Sequence, residues 1–590
     1  MHVCLILSKS DWELIRLCNY SKLSSPIIET LKAIAVSSHI NIISFSFVDN
    51  IAEHTQKPDI RFIYLPVMLI AGFFRKAAFI MDIVDAWINK FDLSTRTLSS
   101  FEHQILLRKM GDIYKLRQTK SMFYSYTTFE NSRSAKSADF DFLLRGSGLK
   151  IEKGEILNEF SKFGTLSLHH GNNRFNRGLP VGFWEVFYRE ESGITAQFIT
   201  TELDGGDVIY TARLRTLQNA TANRANIFRN TSAVLQVAFS VIAQQAVPPV
   251  SCSNKFIQEF DIYTRELLTK PSSILMTFVS FKGLTASLFN LMTRRTYLFF
   301  LSRYKNTCEK WAISLSTNFK QRLSSWSSFY PLKSSPGSND WVADPFFVSI
   351  DGIDYLLYEY YVWKSQKGVI GYSKINHDFS ESQSSPHLQY NISGILLEND
   401  RHLSYPYTFN IAGLSYFIPE NNSNGANLYR LEHCVKNTHH ITAIFVRKLL
   451  DGFCIDPSFI RLNGFDYLFV TRLDESEITL HLFYCRDITT DKLILHPSSP
   501  LCVDHSLGRS AGRITVESED SNVIVRPSQI MKNTYGEGIL LSKYKLTQYE
   551  CKFLGIQKKI KPTPHSIYSK LHHFDFHNGM TAVDYVVSSI

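Results

Sequence analysis

The sequence predicts an α/β domain built on a sheet with covering helices, followed by an all-β propeller of five blades. Three observations carry that reading. Strand and helix patterns alternate over residues 1 to about 250. One motif, an apolar–Asp/Tyr–Pro opening with two aromatic strands around a Gly-containing turn, recurs between 341 and 544. A basic, apolar stretch at 251–307 separates the two regions.

In the first region His2 to Leu7 reads as a buried strand, Pro26 to Ala35 as a helix and Ile40 to Phe47 as a second strand. Phe140 to Leu144 is a further strand, leading through a Gly-containing turn to a helix over Lys153 to Phe160 and a strand over Thr165 to His169. Such β-α-β alternation predicts a parallel sheet with covering helices. The domains are therefore expected at 1–250, 251–307 (a basic helical connector) and 308–590.

The second region repeats itself. WVADPFFVSIDGIDYLLYEY (341–360), HLSYPYTFNIAGLSYFIPE (402–420) and FCIDPSFIRLNGFDYLFVT (453–471) share one pattern, and VIVRPSQIMKNTYGEGILLSKY (523–544) is a looser copy. The prolines at 345, 406, 457 and 527 fall roughly fifty to seventy residues apart, a spacing that suits propeller blades. A unit at Trp311 to Leu315 or at the C-terminal end would complete five.

Bulk properties narrow the function. Hydrophobic residues make up 44% and aromatics 13%, which excludes a disordered chain. The net charge of +9 comes with no Lys/Arg block long enough for a nucleic-acid stripe. Nine cysteines, none in CxxC spacing, point to free thiols in a reduced cytoplasm, with no structural metal. The N-terminus reads as a strand and no apolar run reaches membrane-span length. The stretch 270–305 mixes Phe278, Leu284, Leu288 and Leu291 with Lys282, Arg294 and Arg295. It reads as a helix packed between domains, with peripheral contact to the inner membrane as the alternative.

The chemistry of the first region lies in TLSLHHGNNRFNRGLPVGFWEVFYREESGITAQFITTELDGGDVI (165–209). A strand delivers His169 and His170 at its C-terminal end, where open α/β sheets place ligands. Gly171 to Asn173 make a polar turn, Gly182 to Tyr188 a helix, and 202–209 an acidic turn between strands, so His169 and Asp204 meet above one sheet. This order resembles the catalytic core of the formyltransferase family, which includes methionyl-tRNA formyltransferase and the sugar N-formyltransferases. The resemblance implies transfer of a formyl group from 10-formyltetrahydrofolate to an amine. It implies His169 and Asp204 as catalytic residues, with Ser167 standing where the family has Asn. His170, Asn172, Arg177 and Thr195 are implied as substrate-binding. A serine in that place would be a less preorganised donor to developing oxyanion charge.

The propeller repeats look similar to the N-terminal propeller of the plant glucosamine inositolphosphorylceramide transferases. They are more distantly similar to five-bladed glycoside hydrolases of the arabinanase type. The latter resemblance implies Asp344, Glu420 and Asp456 on a common rim, with His402 and Arg526 nearby. Two carboxylates separated by water would suit inverting hydrolysis, while Asp before Pro also serves as plain turn architecture. Trp341, Tyr360 and Trp363 suit either sugar stacking or packing between blades. The resulting expectation is a cytoplasmic N-formyltransferase acting on an amino sugar in surface polysaccharide or glycolipid assembly, with a glycan ligand on the propeller and no nucleic-acid partner. The alternatives are an altered formyltransferase-like scaffold with a carbohydrate-binding propeller, and a glycoside-active propeller enzyme.

Overall fold

The computed structural model describes residues 1–16, 22–50, 61–88, 98–120, 125–129, 140–146, 152–153, 161–172, 180–199, 207–244, 271–303, 310–316, 330–331, 340–375, 393–421, 425–434, 437–472, 478–518, 522–532, 534–562 and 568–587. They fall into two compact units, Met1–Phe300 and Leu301–Ile590.

The strands of the first unit are β1 (His2–Ser8), β2 (Ile42–Asn50), β3 (Met110–Lys120), β4 (Ser125–Phe129), β5 (Phe142–Arg145), β6 (Glu152–Lys153), β7 (Thr165–His169), β8 (Ser192–Phe198) and β9 (Asp207–Leu214). They form one sheet in the order β6-β4-β3-β2-β1-β5-β7-β8-β9. The stretch from β3 through β2, β1 and β5 to β7 is parallel. Val3 to Leu7 of β1 are buried on both faces, as a central parallel strand requires. The sheet is mixed rather than purely parallel, because β8 and β9 run antiparallel beyond β7 and β4 pairs antiparallel with β3. The eight residues between β8 and β9 are too few for a parallel crossover, which needs a dozen or more.

The helices are α1 (Lys9–Arg16), α2 (Ser25–Val36), α3 (Arg61–Ile88), α4 (Ser100–Lys109), α5 (Phe183–Tyr188), α6 (Ala220–Arg229), α7 (Thr231–Gln244) and α8 (Ser273–Arg303). Pro26 opens α2 where its missing N–H costs nothing. Lys109, at the end of α4, donates to the carbonyls of Ile34, Ala35 and Ser37 and so closes the end of α2. Of the helix expected over Lys153 to Phe160, Lys153 lies in strand β6 and the remainder falls outside the described residues. No helix among the described residues is long and apolar enough to cross a membrane.

The second unit is a propeller of five sheets. Its first two strands are β10 (Trp311–Ser316) and β11 (Tyr330–Pro331). Blade 1 comprises β12 (Trp341–Ile350), β13 (Ile353–Val362), β14 (Lys367–Lys374) and β15 (Gly394–Leu397). Blade 2 comprises β16 (Ser404–Ile411), β17 (Leu414–Glu420), β18 (Ala426–Cys434) and β19 (Asn437–Leu450). Blade 3 comprises β20 (Ile455–Leu462), β21 (Phe465–Thr471), β22 (Thr479–Cys485) and β23 (Ile494–Leu495), with β24 (Cys502–Val503) also on β22. Blade 4 comprises β25 (Thr515–Ser518), β26 (Val523–Gln529), β27 (Ile539–Leu546) and β28 (Cys551–Ile560).

Blade 5 joins both ends of the unit. β29 (Tyr568–Lys570) and β30 (Phe574–His577) pair with β31 (Met580–Val587), which pairs with β10, and β10 pairs with β11. Trp311 to Leu315 and the C-terminal strands are thus one blade, and their pairing closes the ring and removes open edges.

Local sequence explains the blades. Asp351-Gly352, Ala412-Gly413, Asn463-Gly464 and Asn578-Gly579 all have positive φ at both residues, the I′ hairpin geometry that matches strand twist. Each of the first three blades carries a bulge at its X-Pro pair, with Asp344, Tyr405 and Asp456 at φ of 52°, 46° and 45°. The bulge re-aims those residues without shifting the rest of the strand. The fourth copy is offset: Pro527 lies on the second strand of its blade, paired with Leu541.

Candidate functional site at the propeller centre

Residues of, or leading into, all five blades meet. Tyr405 of blade 2 hydrogen-bonds Ser458 of blade 3 and accepts from the Gly512 N–H leading into blade 4, and Phe346 of blade 1 packs on His573 of blade 5. Around this meeting point the bulged residues and their neighbours form a buried polar cluster.

Asp344 is its first centre. His572 lies between two acids, with Nε2 3.1 Å from Asp344 Oδ1 and Nδ1 3.1 Å from Asp584 Oδ1. The Tyr405 backbone N–H donates to Asp344 Oδ2 at 3.3 Å, and the Asp344 backbone N–H donates to Asp584 Oδ2 at 3.1 Å. Burial opposes charge on the imidazole, but Asp584 and Asp344 outweigh it and push its pKa up to about 10. Burial also opposes ionisation of Asp344, yet the His572 hydrogen bond and charge hold its carboxyl below the usual range. The three groups are close enough to share a metal ion. His572, protonated between two carboxylates, already supplies that positive charge.

Glu420 and Asp456 form the second centre. The Asp456 backbone N–H donates to Glu420 Oε2 at 3.0 Å. Arg509 grips Asp456 with two prongs, Nε to Oδ2 at 2.8 Å and Nη2 to Oδ1 at 3.0 Å, and Gln529 adds a bond at 3.3 Å. Arg509 reaches Glu420 Oε2 only at 4.0 Å. Burial, and then the Asp456 charge, push the Glu420 pKa up to about 8. Near neutral pH the cluster therefore holds a protonated Glu420 and an ionised Asp344.

Glu359 completes the acids. Its Oε1 lies 3.1 Å from His402 Nε2, and the Gly368 N–H donates to His402 Nδ1 at 2.9 Å. Burial raises the Glu359 pKa, and Glu359 raises that of His402 against its own burial.

Aromatic rings stand beside the acids. The His572 ring is 4.3 Å from Trp311 and 4.9 Å from Tyr535, and Arg509 lies 5.7 Å from the Tyr535 ring. Tyr535 is exposed. Trp341 stacks on Tyr361 at 4.5 Å, the Tyr360 hydroxyl donates to Asp340, and Trp363 is exposed.

The structure thus brings Asp344, His402, Glu420 and Asp456 into one neighbourhood. Arg526 is not at the rim: it is fully buried, and its guanidinium donates to the carbonyls of Leu507 and Gly508 and to Ser510. The guanidinium facing the acids belongs to Arg509. Sequence reading also passed over Glu359, Asp584, His572, Trp311 and Tyr535. Glu359 was legible, because it follows Asp344 by fifteen residues, as Glu420 follows Tyr405 and Thr471 follows Asp456.

In the first unit Ser167 is buried in β7 opposite Gln197, and His169 ends the strand opposite Thr195. His170 packs edge-on to Phe228 with Nε2 3.1 Å from the Thr231 hydroxyl. Burial and then His169 push its pKa to about 3, so it stays neutral. Thr195 donates to the Gly171 carbonyl, bracing the turn, and Asn172 is buried against Gly193. Asp204 and Arg177 lie outside the described residues.

Such a centre, a five-bladed propeller with acids gathered where its blades meet, defines a class of β-propeller protein. Residues 331–583 match the family described as glucosamine inositolphosphorylceramide transferase 1, N-terminal. The chain is also similar to glucosamine inositolphosphorylceramide transferase 1 of Oryza sativa subsp. japonica, 29% identical over 248 residues, 40% of this chain and 31% of the relative. The counterpart from Oryza sativa subsp. indica matches to the same extent. The match thus spans less than a third of the length of those relatives. Among solved structures, the chain is similar to the catalytic domain of a Coprinopsis cinerea GH62 α-L-arabinofuranosidase (12% identity, 40% of this chain and 76% of that one, TM-score 0.29). It is similar to a family 117 glycoside hydrolase from Zobellia galactanivorans (12%, 43% and 88%, TM-score 0.28).

These matches correct the enzymatic assignment. The family model matches residues 331–583, on the propeller, and the curated relatives carry the same transferase name, so the chain is not read as a formyltransferase. The neutral, packed His170 and the bracing Thr195 explain part of the motif as turn support.

Proposed function

We propose that the second unit is a carbohydrate-active propeller, engaging a glycan at its centre and acting on a glycosidic bond. The observation that carries this reading is the unlike setting of two buried acids in one cluster: Asp344 lies 3.1 Å from His572, which favours its charge, while Glu420 has Arg509 only at 4.0 Å and Asp456 beside it, which favour its proton. Environments that push two carboxyl groups apart are how acid and base roles are divided. Glu420 would protonate the departing glycosidic oxygen, and Asp344 would take a proton from the attacking water. Trp311 and Tyr535 offer aromatic surface for a sugar ring. The name of the curated relatives, a glucosamine inositolphosphorylceramide transferase, supports a sugar-bearing or glycolipid substrate.

A second reading is glycan binding without turnover. It is favoured by Asp344 itself, whose two oxygens are already engaged by His572 and the Tyr405 N–H. One experiment separates the two. The full chain is screened on a glycan array and on aryl glycosides, beside Glu420→Gln and Asp344→Asn. Turnover that both substitutions reduce by about a hundredfold or more, with binding kept, supports hydrolysis. Binding with no turnover in the parent chain supports the second reading, and neither binding nor turnover overturns both.

A further inference from the structure

Helix α3 is built inside out, and α8 beside it carries a second outward apolar face. On α3 the residues turned to the body are small or acidic: Ala78, Asp82, Asp85 and Ala86 are all buried. The opposite face carries Phe73, Ile80 and Trp87, spaced by seven residues and therefore on one stripe, and Trp87 is 80% exposed. On α8 Val279, Ser280 and Ser287 are buried, with Val279, Leu275 and Met276 packed on Phe183 and Trp184, while Phe278 and Phe281 face outward, so α8 is apolar on both sides. An ordinary surface helix has the reverse polarity to α3, and exposed apolar stripes of this length mark a site of interaction.

The inward acids have a structural reason. Asn219, the N-cap of α6, donates to Asp85 Oδ2 at 2.9 Å, and Thr221 donates to Asp82 Oδ2 at 2.6 Å. Both carboxylates thus sit at the positive end of α6. The two outward-facing helices are also joined. Arg75 Nε donates to Ser273 Oγ at 3.1 Å, and Thr277 Oγ1 donates to the Phe74 carbonyl at 2.9 Å.

The consequence is a one-signed surface. Asp82 and Asp85 are the acidic residues of α3, and α8 contains none. Among the described side chains of the two helices the exposed charges are Arg75, Lys76 and Lys282. An anionic bilayer rewards both halves of this combination: aromatic side chains enter the headgroup boundary and cations meet the lipid phosphates.

We propose that α3 and α8 form an interfacial membrane-docking face for anionic lipid. This goes beyond the carbohydrate reading and does not depend on it.

The test is flotation of the full chain with vesicles. Vesicles of phosphatidylcholine with 30% phosphatidylglycerol should retain the protein at least about tenfold better than pure phosphatidylcholine at low salt. Phe73→Asp with Phe278→Asp should lower retention by about tenfold or more. Lys76→Glu with Lys282→Glu should abolish the preference for the charged vesicles. All four positions are exposed, so thermal unfolding should be unchanged and serves as the control for folding. Equal retention of parent and variants overturns the proposal, as does absence of binding to charged vesicles. A parent dimer that Phe73→Asp splits, without vesicle binding, would assign the face to a second copy of the chain instead.

Discussion

The Asp456 backbone N–H donates to Glu420 Oε2 at 3.0 Å, fixing acids of two successive blades side by side while Arg509 grips Asp456 with two bonds and stands 4.0 Å from Glu420. The bulge that lifts Asp456 to positive φ is what aims this N–H at Glu420. Glu420 is therefore the acid left to hold a proton.

Glu420 should make the protein lose stability as pH rises. Its carboxyl, usually near 4.5, is pushed up to about 8 in the fold. Between those values the folded chain holds a proton that the unfolded chain has released, so stability falls across that window and levels off above it. Urea unfolding at stepped pH should show this slope, and Glu420→Gln should remove its share. Any glycosidic turnover should decline through about pH 8 for the same reason.

His572 acts in the opposite range. Its pKa is raised from 6.5 to about 10. The stabilisation it contributes is fully present below pH 6.5 and is lost as pH rises through about 10. His572→Asn leaves Asp344 and Asp584 facing each other without a cation, a loss of about 3–5 kcal/mol. Denaturant midpoints at neutral pH would detect a shift of that size.

Gly368 holds the Glu359–His402 pair in place. A Cβ at this position would lie 2.6 Å from the Leu403 carbonyl and 2.8 Å from both His402 Cε1 and Glu359 Oε1. Gly368→Ala should cost about 1–3 kcal/mol, because the carbonyl is backbone and cannot swing away. Chemical denaturation measures the loss, and a lowered His402 pKa by NMR would show that the pair had separated.

Ala412 offers a gain. It occupies a left-handed position, φ 50°, where the matching turns use Asp351, Asn463 and Asn578. An L-residue there pays about 1–2 kcal/mol, part of which Gly gives back through unfolded-chain entropy. Ala412→Gly should therefore stabilise the propeller by about 0.5–1 kcal/mol, read from its thermal midpoint.

Much of the propeller was legible because its unit is local. A hairpin with an X-Pro bulge and a Gly turn is written within about twenty residues, so three copies were readable side by side. The fourth copy read as looser because it is offset: Pro527 sits on a second strand, where proline does not mark the bulge. Arg526 was placed near the rim by the resemblance of its repeat to the other copies, yet its carbonyl partners come from the preceding loop, Leu507 and Gly508. In the first unit the strand and helix positions around β1, α2 and β7 were readable from hydrophobic runs, while the antiparallel edge was not, since strand direction depends on the path of the connections.

The sequence by itself determined the hairpins, the bulged Asp-Pro and Tyr-Pro pairs and the succession of two unlike regions, because each follows from neighbouring residues and backbone sterics. Only the tertiary structure decided which acids meet. Asp344 and His572 are more than two hundred residues apart, and their contact exists because β10 and β31 pair to close the ring. Their charges are likewise set by that meeting, since a buried carboxyl takes its protonation from what surrounds it and not from its own chain neighbours.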